Sequence, residues 1–160
     1  MRSKLIAAIV VVLSGTTAVL AQTKISGTLQ CKVGEHHELE VGDRPNHSLS
    51  IGKQICTWPK PMEIAGTQSK EMIGTGSMEV SGTKGRVRTY GTITWANGDK
   101  SNLYIQGSGI LNEGAEGTWN FTGGTGKLKG IKGKGTYKWK GAAAEGSDTY
   151  EIEGEYELPK

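Results

Sequence analysis

Arg86-Val87-Arg88-Thr89-Tyr90-Gly91-Thr92-Ile93-Thr94-Trp95-Ala96-Asn97-Gly98-Asp99-Lys100 is the stretch that decides the fold class. Successive side chains of an extended chain point to opposite faces. Val87, Thr89, Gly91, Ile93 and Trp95 therefore share one face, and Arg86, Arg88, Tyr90, Thr92 and Thr94 the other. Asn-Gly between two alternating runs predicts a hairpin with a type I′ turn, whose two central residues need positive φ. The partner strand continues from Lys100 to Leu111, with Leu103 and Ile105 on one face and Tyr104 and Gln106 on the other.

Beyond this hairpin, no run of ten residues after Ala21 places apolar side chains at helical spacing, and glycine, a poor helix former, recurs throughout. Further strands are expected near 25–33, 47–58, 70–81, 117–122, 127–140 and 148–158. About eight short strands at this spacing predict an all-β sandwich or barrel. Glycines at Gly74, Gly76, Gly107, Gly117, Gly133 and Gly135 favour a small, strongly curved, closed antiparallel barrel. Strand glycines mark bends or close backbone approach, and closure removes exposed sheet edges.

The last two strands predict their own register. Lys132, Lys134, Lys138 and Lys140 share a face opposite Gly133, Gly135, Tyr137 and Trp139; Glu151, Glu153, Glu155 and Glu157 share a face opposite Tyr150, Ile152, Gly154 and Tyr156. Antiparallel pairing with Lys138 near Glu151 and Tyr137 near Ile152 sets lysines against glutamates on the solvated side. A one-residue slip would turn every charge inward.

At the N-terminus, Arg2 and Lys4 precede an apolar run from Leu5 to Leu13, shorter than the roughly twenty residues that span a bilayer. Val19-Leu20-Ala21 completes the pattern of a signal peptide over residues 1–21, ahead of a single barrel domain over 22–160. The expected location is periplasmic or extracellular, in a bacterium. Without Arg2 and Lys4 the chain holds 17 basic and 16 acidic residues. This balance argues against a nucleic-acid partner, which needs a clustered basic surface. No later segment is apolar enough to span a membrane. Cys31 and Cys56, in an oxidising compartment, are expected to form a disulfide joining the first two strands.

Phe121-Thr122-Gly123-Gly124-Thr125-Gly126-Lys127-Leu128-Lys129-Gly130, with Gly133 to Tyr137, resembles a segment of the allene oxide cyclase and dirigent family of barrels. There a Phe-Thr-Gly-Gly-Thr-Gly stretch joins two strands late in the chain. The resemblance covers under twenty residues. The chain as a whole also resembles small uncharacterised secreted bacterial proteins of that kind. What this implies is an eight-stranded antiparallel barrel with an internal cavity; the acidic and polar residues that family members use have no matching positions here.

Chemical motifs are few. His36, His37 and His47, with Glu35, Glu38 and Asp43 nearby, are candidate metal ligands. Adjacent His36 and His37 point apart if extended, and their spacing fits no established zinc pattern. A solvated loop between the first two strands, turning at Gly42 and Pro45, is the expected reading, with no metal and no cofactor. No Gly-x-Ser-x-Gly elbow marks a nucleophile, and Lys127 is followed by Leu128 rather than the Ser or Thr of a phosphate loop. The expected function is therefore binding rather than catalysis: a small apolar or aromatic molecule held inside the barrel. The ligand-contacting candidates are Trp58, Ile93, Trp95, Leu103 and Ile105, with Trp58 and Trp95 near a barrel mouth. An isomerase-like, cyclase-like or dirigent-like enzyme using the same cavity, and an envelope protein with a solid interior, are the alternatives.

Overall fold

The computed structural model describes residues 22–143 and 146–159. The expected signal peptide, residues 1–21, lies outside the described residues. Among the described residues nine strands follow in chain order: β1 (Thr23–Glu40), β2 (His47–Thr57), β3 (Glu63–Ile64), β4 (Thr67–Ser81), β5 (Lys84–Trp95), β6 (Lys100–Ile110), β7 (Gly114–Gly124), β8 (Lys132–Ala143) and β9 (Ser147–Glu157). All but the two-residue β3 join one antiparallel ring, in which β2 pairs with both β1 and β4 and β1 closes onto β9. The result is a closed, eight-stranded, up-and-down barrel in which every strand of the ring pairs on both sides.

The decisive hairpin forms, with Thr92 opposite Asn102 and Ile93 opposite Ser101. Its turn is not the expected type I′. Only Gly98 has positive φ, at 86°; the Gly98 amide donates to the Trp95 carbonyl and the Trp95 amide to the Asp99 carbonyl. This is a three-residue loop ending in a left-handed glycine. Asn97 spends its side chain on Asp99, accepting from that amide at 3.1 Å and donating to its carboxylate at 2.7 Å. Type I′ geometry occurs instead at Ala65-Gly66, between β3 and β4, with φ of 53° and 72°.

The charged hairpin has the expected register, Tyr137 opposite Ile152 and Lys138 opposite Glu151. The ion pair that forms is Lys140 to Glu151 at 3.0 Å, half-exposed. Such pairs contribute only a few tenths of a kcal/mol, so their role is in choosing register.

Two boundaries depart from expectation. β1 runs on to Glu40 rather than ending near residue 33, and the stretch around His36 and His37 is strand, not loop. Between Val33 and His36 three steps on β1 face two on β2, a one-residue bulge. That bulge reverses the alternation, which is why the sequence reads as if the strand stopped. Likewise β8 begins at Lys132, because Gly126–Leu128 forms a one-turn 3-10 helix beneath the barrel.

This crossing segment plugs one end. Lys127 donates its amide to Asp99 at 3.0 Å, and Lys100 and Thr125 bond reciprocally at 2.8 Å. Leu128, Ile131, Ile64, Met62 and Phe121 are buried there around Trp95, which is fully sealed and donates its indole N–H to buried Ser101 at 3.0 Å. The Cys31–Cys56 disulfide forms as expected, across directly opposed positions of β1 and β2.

Candidate functional site

Above the plug the barrel is hollow. On the inner faces of β6 to β9, glycine alternates with single large aromatic residues. A Cβ at Gly135 or Gly154 would stand 2.6 or 2.5 Å from the Trp119 ring, and one at Gly117 would stand 2.7 Å from the Tyr137 ring. The rings therefore lie against bare backbone instead of reaching across the barrel. The space they vacate is a cavity of about 430 Å³, within the range of small-molecule sites.

Trp58, Met72, Ile93 and Trp119 line its deep part; Leu29, Cys31, Ile105, Tyr137, Tyr150 and Ile152 line the wall. It opens at the end where β1 turns into β2 and β6 into β7, past exposed Val33 and Leu111. This is opposite to the end where Trp58 and Trp95 were expected to mark a mouth. Of the ligand-contacting candidates, Trp58, Ile93 and Ile105 lie on the cavity lining, whereas Trp95 and Leu103 are packed in the core. The sequence reading did not single out Tyr137 or Tyr150 as site residues. Their signal was available: both sit on the inward face of strands whose other inward positions include glycines.

The polar groups of the wall are few and mostly engaged. Trp139 donates its indole N–H to Asp148 at 2.9 Å. Tyr150 is hydrogen-bonded to Gln54; burial, and then the Asp148 carboxylate, raise its phenol pKa. Tyr137 packs edge-to-face on Tyr150, with centroids 6.0 Å apart, and burial pushes its pKa up to about 12. None of the side-chain hydrogen bonds among the described residues uses the Tyr137 hydroxyl. The Trp58 indole N–H is also unpartnered, but it is sealed within the packing.

Solved structures resemble this barrel. The pterocarpan synthase dirigent protein PsPTS1 superposes with a TM-score of 0.53 at 16% identity, over 88% of this chain and 97% of that one. The pterocarpan synthase dirigent protein GePTS1 does so with a TM-score of 0.54 at 14% identity, over 88% and 92%. The fold is that of the dirigent barrels. At such low identity the likeness concerns the fold alone. No family model and no curated protein matches the sequence.

The histidines of the barrel are dispersed. His36 lines the cavity; His37, opposite Ile51, is exposed on the outer face; His47 is buried under the loop between β1 and β2. Among the described residues no cluster of His, Cys, Asp and Glu is arranged to hold a metal ion.

His47 instead forms a clasp at the mouth end. Its Nδ1 is hydrogen-bonded to Asp43 and its Nε2 lies 3.2 Å from Glu79, while Arg44 reaches Ser81 at 3.1 Å. The Asp43 bond is the largest influence raising the His47 pKa, and the same bond lowers that of Asp43. His47 then stabilises the clasp below its ordinary 6.5, and that contribution disappears as pH rises through its elevated folded value. Asp43 contributes above its ordinary 3.8 and loses this as pH falls through its depressed folded value. The clasp should therefore be tightest between those two ordinary values. Amides of residues 41–47, corrected for intrinsic exchange rates, should be better protected from hydrogen exchange at pH 5 than at pH 8. In His47→Gln that difference should vanish; equal protection at both pH values in the unmodified protein would contradict the assignment.

Proposed function

We propose that this dirigent-like barrel is an exported binding protein that takes one small, largely apolar or aromatic molecule into its cavity. The carrying observation is the hollow itself: about 430 Å³, walled mostly by aromatic and aliphatic side chains, plugged below and open above. A cavity of this size and lining is the ordinary form of a small-ligand site. The buried disulfide suggests an oxidising environment, which supports a periplasmic or extracellular location.

Naphthalene titrated into the protein should quench tryptophan fluorescence saturably with one site per chain. At a hundredfold excess over Kd it should stabilise the fold by about 2.7 kcal/mol. Ile105→Trp, which places an indole in the hollow, should abolish binding. Absence of binding, or binding undiminished in Ile105→Trp, would overturn the proposal.

A second reading, an isomerase-like, cyclase-like or dirigent-like enzyme, is favoured by one observation: Asp148, Tyr150 and Tyr137 occupy the same side of the cavity, on β8 and β9. Conversion of a bound molecule, lost in Asp148→Asn with binding retained, would decide for it.

A further inference from the structure

Tyr137 is 7% exposed, so its phenol is removed from bulk water. Its ring is fixed by the bare backbone at Gly117, where a Cβ would clash with it, and by the edge-to-face contact with Tyr150. The hydroxyl is therefore held in one place. It has no protein partner among the described residues and is not sealed as Trp58 Nε1 is; it rests against the bare backbone of Gly107 on β6, on a residue that lines the cavity. A phenylalanine would fill the same seat without withdrawing a hydroxyl from water, a withdrawal that is costly when no partner replaces the solvent.

We infer that the cavity's ligand carries a neutral hydrogen-bond-accepting oxygen, a carbonyl or ether on an aromatic skeleton, which the Tyr137 hydroxyl receives. This rests on the binding reading above. The neighbouring phenol, Tyr150, has Gln54 as a hydrogen-bond partner and the Asp148 carboxylate beside it, whereas the Tyr137 hydroxyl has no partner among the described residues. Asp148 beside Tyr150 makes this side of the wall unfavourable for an anion. Because Tyr137 keeps its proton to about pH 12, the donor persists throughout the range in which proteins are studied.

The test compares 2-acetylnaphthalene with 2-isopropenylnaphthalene, in which a methylene replaces the carbonyl oxygen at nearly constant shape. The ratio of ketone to alkene affinity should fall about tenfold from the unmodified protein to Tyr137→Phe, the effect of losing one hydrogen bond to a buried donor. Alkene affinity should stay within about twofold, which also shows that the variant is folded. Between pH 5 and 9 the ratio in the unmodified protein should not change. Independently of any variant, the carbonyl stretching band of the bound ketone should shift to lower frequency, as in a hydrogen-bonded carbonyl. A ratio unaltered by Tyr137→Phe, or a bound carbonyl at its unbonded frequency, would overturn the inference and leave the binding reading intact. Binding of neither probe would overturn both.

Discussion

Trp95→Ala should destabilise the barrel by about 3–5 kcal/mol, the range for truncating a fully buried tryptophan. For a domain of this length that lowers Tm by roughly 10–15 °C. The side chain is completely sealed, and its removal also leaves the equally buried Ser101 hydroxyl without the indole N–H it now accepts. Because Trp95 is outside the cavity lining, the protein that remains folded should bind naphthalene with unaltered affinity. Thermal melts followed by circular dichroism, beside the fluorescence titration, check both halves. A variant with near-normal Tm and lost binding would place Trp95 in the site rather than in the plug.

Loss of the Cys31–Cys56 bond should cost about 3 kcal/mol, since the bridge closes a separation of 25 residues in the unfolded chain. The double variant Cys31→Ala, Cys56→Ala should melt roughly 10 °C lower. Both cysteines are buried, so native protein should resist alkylation until it is reduced and unfolded. Mass spectrometry of the unreduced protein showing two alkylated thiols would remove the bridge from the account.

Local regularities were legible wherever one strand pattern met its neighbour. The alternation from Arg86 to Trp95 located β5, the Asn-Gly pair located its turn, and the opposed lysines and glutamates fixed the faces of β8 and β9, whose observed register is the expected one although a two-residue shift would have kept the same faces. What escaped depended on contacts distant in sequence. Trp95 stands at a strand end and looks like a mouth residue until Leu128 and Ile131, some thirty positions later, are folded beneath it. The one-residue bulge after Val33 hid half of β1, since a reversed alternation is indistinguishable from a loop in a stretch rich in histidine and glutamate. Tyr137 was placed correctly on an inner face, but its exact seat requires knowing that Gly117 and Gly107, from two other strands, lie against its ring and its hydroxyl. The short resemblance around Phe121-Thr122-Gly123-Gly124 pointed to the right fold because those residues build the plug, a structural feature rather than a chemical one.

The central claim is that the hollow between Trp58, Ile93, Ile105 and Tyr137 receives an aromatic ligand, and locating a heavy-atom ligand tests it most directly. Crystals grown with 2-bromonaphthalene should show one strong anomalous bromine peak per chain, inside the barrel and in contact with residues of this lining. A peak confined to the outer apolar side chains, such as Leu39, Ile51 or Tyr90, with the interior empty, would contradict it.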